Sequence, residues 1–301
     1  MSGAEKLDEK IVMLYCASCG LAEVDDIKLK TCAACKSVRY CSVECQKNHR
    51  PQHKRECKIR VAELRDEILF KQPESNFLGD CPICCLPHSI DQKKSTMMSC
   101  CSKVICNGCT CTNIMRERQQ SLKSTCPFCR QPPPKTTQEE EEMVMKRIEV
   151  NDPVAMCQMG TYRYDEGDYD GAFEYWTKAA ELGDLTAHYE LSCLYRDGRG
   201  VEKDKKKQLH HLGQAAIGGH PRARHNLGGV EWENGRRLER AVKHWIIAAK
   251  LGNDRSLENL RDLYATGDVS KEDFAAALRG HQAAVDATKS SQRDEAEVAL
   301  Q

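Results

Sequence analysis

The clearest pattern of apolar and polar residues lies between residues 151 and 285, where helical segments repeat. Three similar hexapeptides, AAELGD, AAIGGH and AAKLGN, begin at Ala179, Ala215 and Ala248. They are 36 and 33 residues apart. A small residue after each is followed four positions later by an apolar one, as in Ala187 and Leu191, so both face one side of a helix. This period predicts a helical solenoid rather than the alternative, an irregular helical bundle.

The stretches outside the repeats have less regular patterns. IRVAELRDEILFKQ, within residues 58–80, has apolar residues at near-helical spacing and predicts a helical connector. Residues 131–150 are proline-rich and then acidic, so we expect a linker whose acidic run, residues 139–142, is solvated. We expect flexible ends at residues 1–15 and 286–301, because both stretches are polar.

Cysteine is concentrated in the first half of the chain. Of 19 cysteines, 17 lie between Cys16 and Cys129, many of them in Cys-x-x-Cys pairs. This spacing places two thiolates on one Zn²⁺. A disulfide scaffold is the alternative, but MSGAEKLDEK is not an apolar signal segment. We therefore expect an intracellular protein, cytoplasmic or nuclear, whose clustered thiols bind metal.

The composition of the chain argues against nucleic acid and membranes as partners. The 45 basic and 45 acidic residues balance, so no overall field favours nucleic acid or a membrane. No apolar run approaches the roughly 20 residues that span a bilayer. Aromatic residues make up 6% of the chain, and the cysteine-rich part could not bury enough apolar surface to fold without metal.

Residues 16–57 supply eight ligands, which would make two closed tetrahedral zinc sites: Cys16, Cys19, Cys32, Cys35, Cys41, Cys45, His53 and Cys57. Closed sites are structural rather than hydrolytic. CKSVRYCSVECQKNHRPQHKREC resembles the MYND zinc finger. The resemblance implies interleaved ligation, with Cys16, Cys19, Cys41 and Cys45 on one ion and the other four on the second. His49 is the rival of His53.

MYND fingers serve mainly as docking sites for short proline-containing peptides. The resemblance therefore implies a peptide groove at which Ser42 and Gln46 are contacts. Arg50 stands where the family usually has a tryptophan, and an arginine stacks less well on a proline ring. Residues 28–60 contain ten Lys or Arg against two acidic residues, so an acidic partner is an alternative to a merely solvated basic face.

Residues 81–130 carry a second ligand series, which predicts about two further zinc ions: Cys81, Cys84, Cys100, Cys101, Cys106, Cys109, Cys126 and Cys129. This spacing is similar to a RING finger. Lys103 stands where the usual pattern has histidine, so an all-cysteine form with Cys100 and Cys101 as third and fourth ligands fits best. The alternatives are that Cys85, Cys111 or His88 completes the site.

RING fingers that act as ubiquitin ligases hold no nucleophile. They dock a ubiquitin-charged E2 enzyme and restrict its thioester to a reactive pose. The resemblance implies that Ile83, Pro127 and Arg130 form the E2 surface, with the Arg130 guanidinium donating to both E2 and ubiquitin. No activating base adjoins the spare thiols Cys85 and Cys111 in sequence, so we expect no covalent catalysis.

The repeat block resembles the Sel1-like repeats, relatives of tetratricopeptide repeats, and DGRGVEKD is its most specific turn. The expected fold is thus multidomain, with MYND and RING-like zinc modules followed by an all-α solenoid. The favoured function is a RING-type ubiquitin ligase whose MYND finger and repeats recruit protein partners. The alternative is a non-enzymatic scaffold. A lysine methyltransferase, another host of MYND fingers, is not expected because no cofactor-binding half is present.

Overall fold

A computed structural model of the protein describes residues 14–24, 26–233 and 237–299. The chain divides into two compact units, Met1–Leu69 and Phe70–Gln301. Of the flexible N-terminus expected at residues 1–15, all but the last two residues lie outside the described part.

Within its described residues, the first unit contains a short hairpin and a long helix. Strands β1 (Lys30–Thr31) and β2 (Arg39–Tyr40) pair antiparallel, and helix α1 follows at Val43–Leu69. Ser42 caps α1, since its Oγ accepts the N–H of Cys45 at 3.1 Å. The predicted connector helix is therefore the second half of α1, which begins inside the zinc-ligand series.

The second unit opens with an irregular stretch and a small zinc module. Residues 70–79 contain neither helix nor strand. A 3₁₀ turn at Gln92–Lys94 leads into β3 (Ser95–Met98), which pairs antiparallel with β4 (Lys103–Cys106). Helix α2 (Asn107–Gln119) follows directly.

Helices that pack in consecutive pairs form the repeat block. Their bounds are α3 Thr137–Ile148, α4 Pro153–Asp165, α5 Tyr169–Glu181, α6 Leu185–Asp197, α7 Lys205–Ile217, α8 Pro221–Glu233, α9 Leu238–Lys250, α10 Asp254–Thr266 and α11 Lys271–Ala287. The chain ends in α12 (Ser291–Ala299). The helix pairs that succeed one another from α4 to α11 confirm the predicted solenoid.

Acidic side chains start many of these helices. Asp184 Oδ1 accepts the N–H of Ala187 at 2.7 Å, and Asp204 Oδ1 accepts the N–H of Lys206 at 2.8 Å. Such caps satisfy backbone donors that have no partner within the helix and contribute about 1 kcal/mol each. The acidic residues at the ends of the GD and EKD turns, Asp184 and Asp204, are therefore the N-caps of α6 and α7.

Tryptophan and glycine lock two of the helix pairs. Trp176 on α5 donates from Nε1 to the carbonyl of Cys157 at 3.1 Å, and Trp245 on α9 donates to His225 at 3.2 Å. A methyl group added at Gly160 would lie 2.5 Å from the Trp176 ring, and one at Gly228 would lie 2.4 Å from Trp245. Glycine is therefore required where each indole crosses the facing helix.

Two segments differ from their predicted linker and tail. Residues 131–150, expected to be a linker, contain α3, which begins at the Thr136 cap and buries Val144 against α4. Residues 286–301, expected to be a flexible tail, contain α12, which packs against α2. Both segments are polar in sequence, but each has a small apolar side chain that reaches a neighbouring helix, as Ala296 does in α12.

Candidate zinc centres and interaction surfaces

In the first module, two groups of four ligands come together. The sulfurs of Cys16, Cys19, Cys41 and Cys45 lie within 4.8 Å of one another, and so do the ligand atoms of Cys32, Cys35, His53 and Cys57. The Cys19 and Cys41 sulfurs are 3.6 Å apart, and Cys35 Sγ is 3.3 Å from His53 Nε2. Four thiolates at 2.3 Å from a tetrahedral Zn²⁺ would be about 3.8 Å apart. The donor sets therefore fit two zinc ions.

Helix α1 places the later ligands of this module. His53 and Cys57 are one turn apart and point to the same side of the helix. His53 is buried in its cluster, whereas His49 Nδ1 bonds the hydroxyl of Tyr40 at 3.1 Å and lies outside the cluster. The structure thus brings His53, and not His49, to the thiols.

The second module also brings two groups of four together. Cys81, Cys84, Cys106 and Cys109 form one group, and Cys100, Cys101, Cys126 and Cys129 form the other. Cys84 and Cys106 sulfurs are 3.7 Å apart, and Cys101 and Cys126 sulfurs are 3.9 Å apart. These separations match tetrahedral zinc. Across the described residues, the four groups together account for the expected four zinc ions.

The alternatives for the fourth ligand lie outside these groups. His88 is buried, and its Nδ1 is 3.0 Å from Ser95 Oγ. Cys85 is exposed, and Cys111 lies on α2. Cys100 and Cys101 sit in the turn of the β3–β4 hairpin, which bends sharply enough for two adjacent thiols to reach the same group.

A common backbone turn shapes four of the Cys-x-x-Cys pairs. The residue after each second cysteine donates its N–H to the carbonyl of the first cysteine, as Cys85 does to Cys81 at 2.9 Å. Each of these residues has a left-handed backbone, with φ of 74° at Gly20, 57° at Lys36, 55° at Cys85 and 65° at Arg130. The geometry explains why Cys85, although it directly follows the ligand Cys84, is exposed and lies outside the ligand group.

The thiols of one cluster differ in how readily they ionise. The N–H of Cys35 lowers the pKa of Cys32 to about 6, although burial opposes the shift. Burial, together with the neighbouring thiols Cys35 and Cys32, raises the pKa of Cys57 to about 11. Ionisation of one thiol therefore makes ionisation of its neighbour less favourable. A bound divalent cation removes this penalty and allows all three thiols to ionise together.

Arg293 on α12 is a contact that the sequence did not reveal. Its guanidinium donates to Cys84 Sγ at 3.4 Å, and to the carbonyls of Leu86 at 3.1 Å and Pro87 at 2.7 Å. Burial raises the pKa of Cys84, but hydrogen bonds from the Leu86 N–H and from the Arg293 guanidinium outweigh it, and the pKa is lowered to about 7. Four thiolates carry four negative charges, and one Zn²⁺ supplies two positive charges. The Arg293 guanidinium adds a further positive charge beside one of these thiolates.

Two residues of α2 hold the last Cys-x-x-Cys pair in place, and no pattern in the sequence indicated either of them. Asn113 donates from Nδ2 to the carbonyl of Thr125 at 3.2 Å. Thr125 in turn donates from its hydroxyl to Glu117 at 2.7 Å. Because Thr125 precedes Cys126, these bonds fix the direction from which that ligand enters its group.

The residues predicted to contact an E2 enzyme lie on the surface of the second module. Ile83 is 41% exposed, and Arg130 is also exposed, while Pro127 is half-buried. The Arg130 guanidinium donates to Asn113 Oδ1 at 3.2 Å. Phe128, which was not predicted, adds a second large apolar side chain at 44% exposure.

The first module has a cavity of about 630 Å³ along α1. Tyr40, Val43 and Val61 contribute apolar surface to it. Four cationic side chains of α1 line the same cavity: Lys47, Arg50, Lys54 and Lys58. Of the two predicted peptide contacts, Gln46 lines the cavity, whereas Ser42 acts as the cap of α1.

Comparison with known proteins covers two parts of the chain. Residues 16–57 match the model of the MYND finger, and residues 153–184, 185–220 and 221–253 match the Sel1 repeat. The SET domain and MYND-type zinc finger protein 6 of Schizosaccharomyces pombe is 42% identical over 52 residues, which are 17% of this chain and 11% of that protein.

A second curated relative is the putative beta-lactamase HcpC of Helicobacter pylori, 38% identical over 56 residues, which are 19% of each chain. The chain therefore spans about a tenth and a fifth of the length of these two relatives. A crystal structure of a Sel1 repeat protein from Oxalobacter formigenes aligns with a TM-score of 0.44 and 27% identity, over 58% of this chain and 70% of that one. Within the described residues, no helix has both the length and the apolar character needed to cross a membrane.

Proposed function

We propose that this protein, which carries a MYND finger and three Sel1 repeats, is a partner-recruiting ubiquitin ligase of the RING type. Its role as a protein-interaction scaffold built from zinc modules and Sel1 repeats follows from the matched families. Our proposal adds to this role the transfer of ubiquitin from an E2 enzyme. It is supported by one observation above all, the exposure of Ile83 beside a closed zinc group.

A closed four-sulfur group has no coordination position for a substrate, so the second module would act only by binding and positioning. Ile83 and Phe128 offer apolar surface to an E2 enzyme. Arg130 would hold the ubiquitin-charged E2 by hydrogen bonds after leaving Asn113. Attack on the thioester would come from a substrate lysine, with the E2 cysteine as leaving group. We also expect an intracellular location, because free thiolate ligands require a reducing compartment.

An autoubiquitination assay with a panel of E2 enzymes tests this proposal. The wild type should form ubiquitin chains with at least one E2, and Ile83→Ala and Arg130→Ala should lose them. Leu122→Ala is the matched control, because Leu122 is an exposed apolar residue of the same module at 51% exposure. All variants must retain four zinc ions. If no E2 enzyme supports chain formation by the wild type, although four zinc ions are bound, the ligase proposal is contradicted.

A non-enzymatic scaffold is the second candidate, and the Arg130–Asn113 hydrogen bond favours it, since it holds the key guanidinium against its own module. In that case the second module is a rigid docking surface. Ile83→Ala would then weaken capture of a protein partner without any change in ubiquitin transfer.

For the MYND groove we propose a proline-containing peptide with acidic residues beside the proline. The apolar cavity would receive the proline ring, and Arg50 and Lys54 would pair with the carboxylates. Lys54→Glu should weaken binding of such a peptide at least tenfold, whereas Lys28→Glu, outside the cavity, should not. Equal affinity for acidic and neutral peptides would contradict the charge selectivity.

A further inference from the structure

Four cations of the MYND groove form a row along α1, which we call the cationic row. They line the cavity of about 630 Å³ and follow one another at intervals of three or four residues: Lys47, Arg50, Lys54 and Lys58. At the helical rise per residue, the row extends about 16 Å. All four side chains are exposed, and among the described residues none of them has an ion pair or a hydrogen bond. Like charges in one row repel one another, so an anionic occupant of the groove is favoured.

Apolar side chains and an amide accompany the cationic row. Val43 is 62% exposed and Val61 is 39% exposed, and both line the cavity together with the buried ring of Tyr40. Gln46 lines the cavity as well, and its exposed side chain has no hydrogen-bond partner among the described residues. Exposed apolar groups beside a free amide suit the rings and the backbone carbonyls of a proline-rich segment.

The chain carries a segment of matching chemistry between the second zinc module and the repeats. Its sequence is QPPPKTTQEEEE, at residues 131–142, and it contains the only run of three prolines in the protein. We call it the proline-acidic segment. Pro132 and Pro133 are exposed, and Pro134 is half-buried. Gln131, Pro132 and Pro133 each precede a proline, which directs the backbone to the extended polyproline conformation.

Both the backbone and the charges of the proline-acidic segment are open to a partner. Among the described residues, the carbonyls of residues 132–134 accept no hydrogen bond. Glu139 and Glu142 are exposed, and within the described part of the chain neither pairs with a cation. Glu139 accepts the N–H of Lys135 at 2.7 Å, and Glu142 accepts the amide of Gln138 at 3.4 Å. Neither contact neutralises the carboxylate, so both glutamates keep their charge for an ion pair.

The cationic row and the proline-acidic segment also match in charge and in length. The segment has four glutamates against one lysine, and the row has four cations. In the polyproline conformation, residues 131–136 extend about 15 Å, which is close to the length of the row. The prolines would lie on the apolar wall of the groove while the glutamates pair with the cations.

We propose that the MYND groove of one copy of this protein binds the proline-acidic segment of a second copy. This inference rests on the proposed peptide-binding role of the groove and names its occupant. Each copy has one groove and one such segment, so two copies can fill each other's sites reciprocally. Because exposed charges hold the contact, added salt should weaken it.

Sedimentation equilibrium of the full-length, zinc-loaded protein tests the proposal. The mean mass of the wild type should rise with concentration from that of one chain toward that of two. Lys54→Glu, in the cationic row, should weaken this association at least tenfold, whereas Lys28→Glu, outside the cavity, should not. Glu142→Lys should also weaken it, and the matched control is Glu181→Lys, which changes an exposed glutamate of the repeats. Circular dichroism and zinc content show that each variant is folded.

A mixture of two defective variants shows that the groove and the segment come from different copies. Lys54→Glu has a defective groove. Pro132→Ala/Pro133→Ala has a defective segment but keeps the Thr136 cap of α3. Each variant alone should remain a single chain. The mixture should form a complex with one chain of each kind, because an intact groove then meets an intact segment. Failure of the mixture to associate, under conditions in which the wild type does, would overturn the proposal.

An unrelated peptide separates this inference from the proposed function of the groove. The probe is a fluorescein-labelled peptide with one proline between glutamates, and its anisotropy is measured with the wild type. If the peptide binds but the wild type remains a single chain at every concentration, the second copy is overturned and the groove function stands. Tighter peptide binding by Pro132→Ala/Pro133→Ala than by such a single-chain wild type would identify the segment of the same chain as the occupant, which also overturns the proposal. Absence of both peptide binding and self-association would contradict both proposals.

Discussion

In the first zinc module, the described apolar residues that pack against the two ligand groups, including Leu29 and Tyr40, lie between residues 14 and 57. In the second module, the Cys84 group also receives a guanidinium from Arg293, 209 residues further along the chain. The two modules share the same Cys-x-x-Cys turns and hairpins. The comparison teaches that ligand spacing determines the local zinc fold, while the support of that fold can come from a distant part of the chain.

Removal of zinc should produce the largest difference between the two units. Structural zinc contributes roughly 10–16 kcal/mol to the folding of small fingers, so a strong chelator should unfold residues 16–57. The repeats have their own core around Trp176 and Trp245 and should keep their helices. Limited proteolysis with mass spectrometry, together with circular dichroism, checks this outcome. Loss of the whole helical signal would show that the repeats also depend on metal.

Substitution of Arg293 should break the support of the second module alone. Arg293→Ala removes donors from a nearly buried site at 8% exposure and leaves the Leu86 and Pro87 carbonyls without them, at a cost of about 2–4 kcal/mol. We expect two of the four zinc ions to leave faster in a chelator-competition assay. The control is Arg279→Ala on α11, which is exposed. Equally fast loss of all four ions would contradict the separation of the modules.

Damage to the repeats should lower their own stability and leave the first zinc module unchanged. Gly228→Ala places a methyl group 2.4 Å from the Trp245 ring, which overpacks the helix pair by about 1–3 kcal/mol. The neighbouring Gly229 has open space around it and is the matched control. In Gly228→Ala the melting temperature of the repeats should fall, while peptide binding at the MYND groove stays unchanged. Gly229→Ala should leave the melting temperature the same or slightly higher.

The smallest expected effect separates two roles of Ser42 in the first module. As the cap of α1 it contributes about 1 kcal/mol, so Ser42→Ala should lower the stability of that module alone. Ser42→Asn keeps a capping oxygen without adding a charge and should restore the stability. Chemical denaturation and a peptide titration distinguish the roles: a loss of peptide affinity in Ser42→Asn, at normal stability, would restore Ser42 as a groove contact.

The sequence predicted those parts of the fold whose residue patterns lie close together along the chain. The MYND ligands lie within 42 residues, and the repeats show themselves by periodic alanines such as Ala187 and Ala223, both fully buried. The choice of His53 over His49 depended on the spacing of His53 from Cys57 and on the resemblance to the MYND finger. The same is true of the helical connector, although its fusion with the finger into a single α1 was not expected.

The parts that the sequence did not predict depend on contacts between distant residues. Nothing in the polar segment around Arg293 indicates a zinc module as its neighbour, because a guanidinium can serve equally well on a solvated surface. Nothing in the sequence indicated that the Phe70 ring lies 4.7 Å from His244, or the Phe77 ring 4.3 Å from His220, because these partners are more than 140 residues away along the chain. Asn113 and Glu117 were missed for the same reason, since an amide and a carboxylate on a polar helix are usually exposed.

The bond between Arg293 and Cys84 has a consequence for the order in which the protein is made. A ribosome adds roughly 5–20 residues per second, so the 209 residues between these partners take about 10–40 s to synthesise. Once Cys129 has been made, the second module has all its cysteine ligands but lacks the Arg293 guanidinium for the rest of that interval. The newly made chain must therefore take up metal, or remain reduced and unaggregated, before its own last helix is available to stabilise the site.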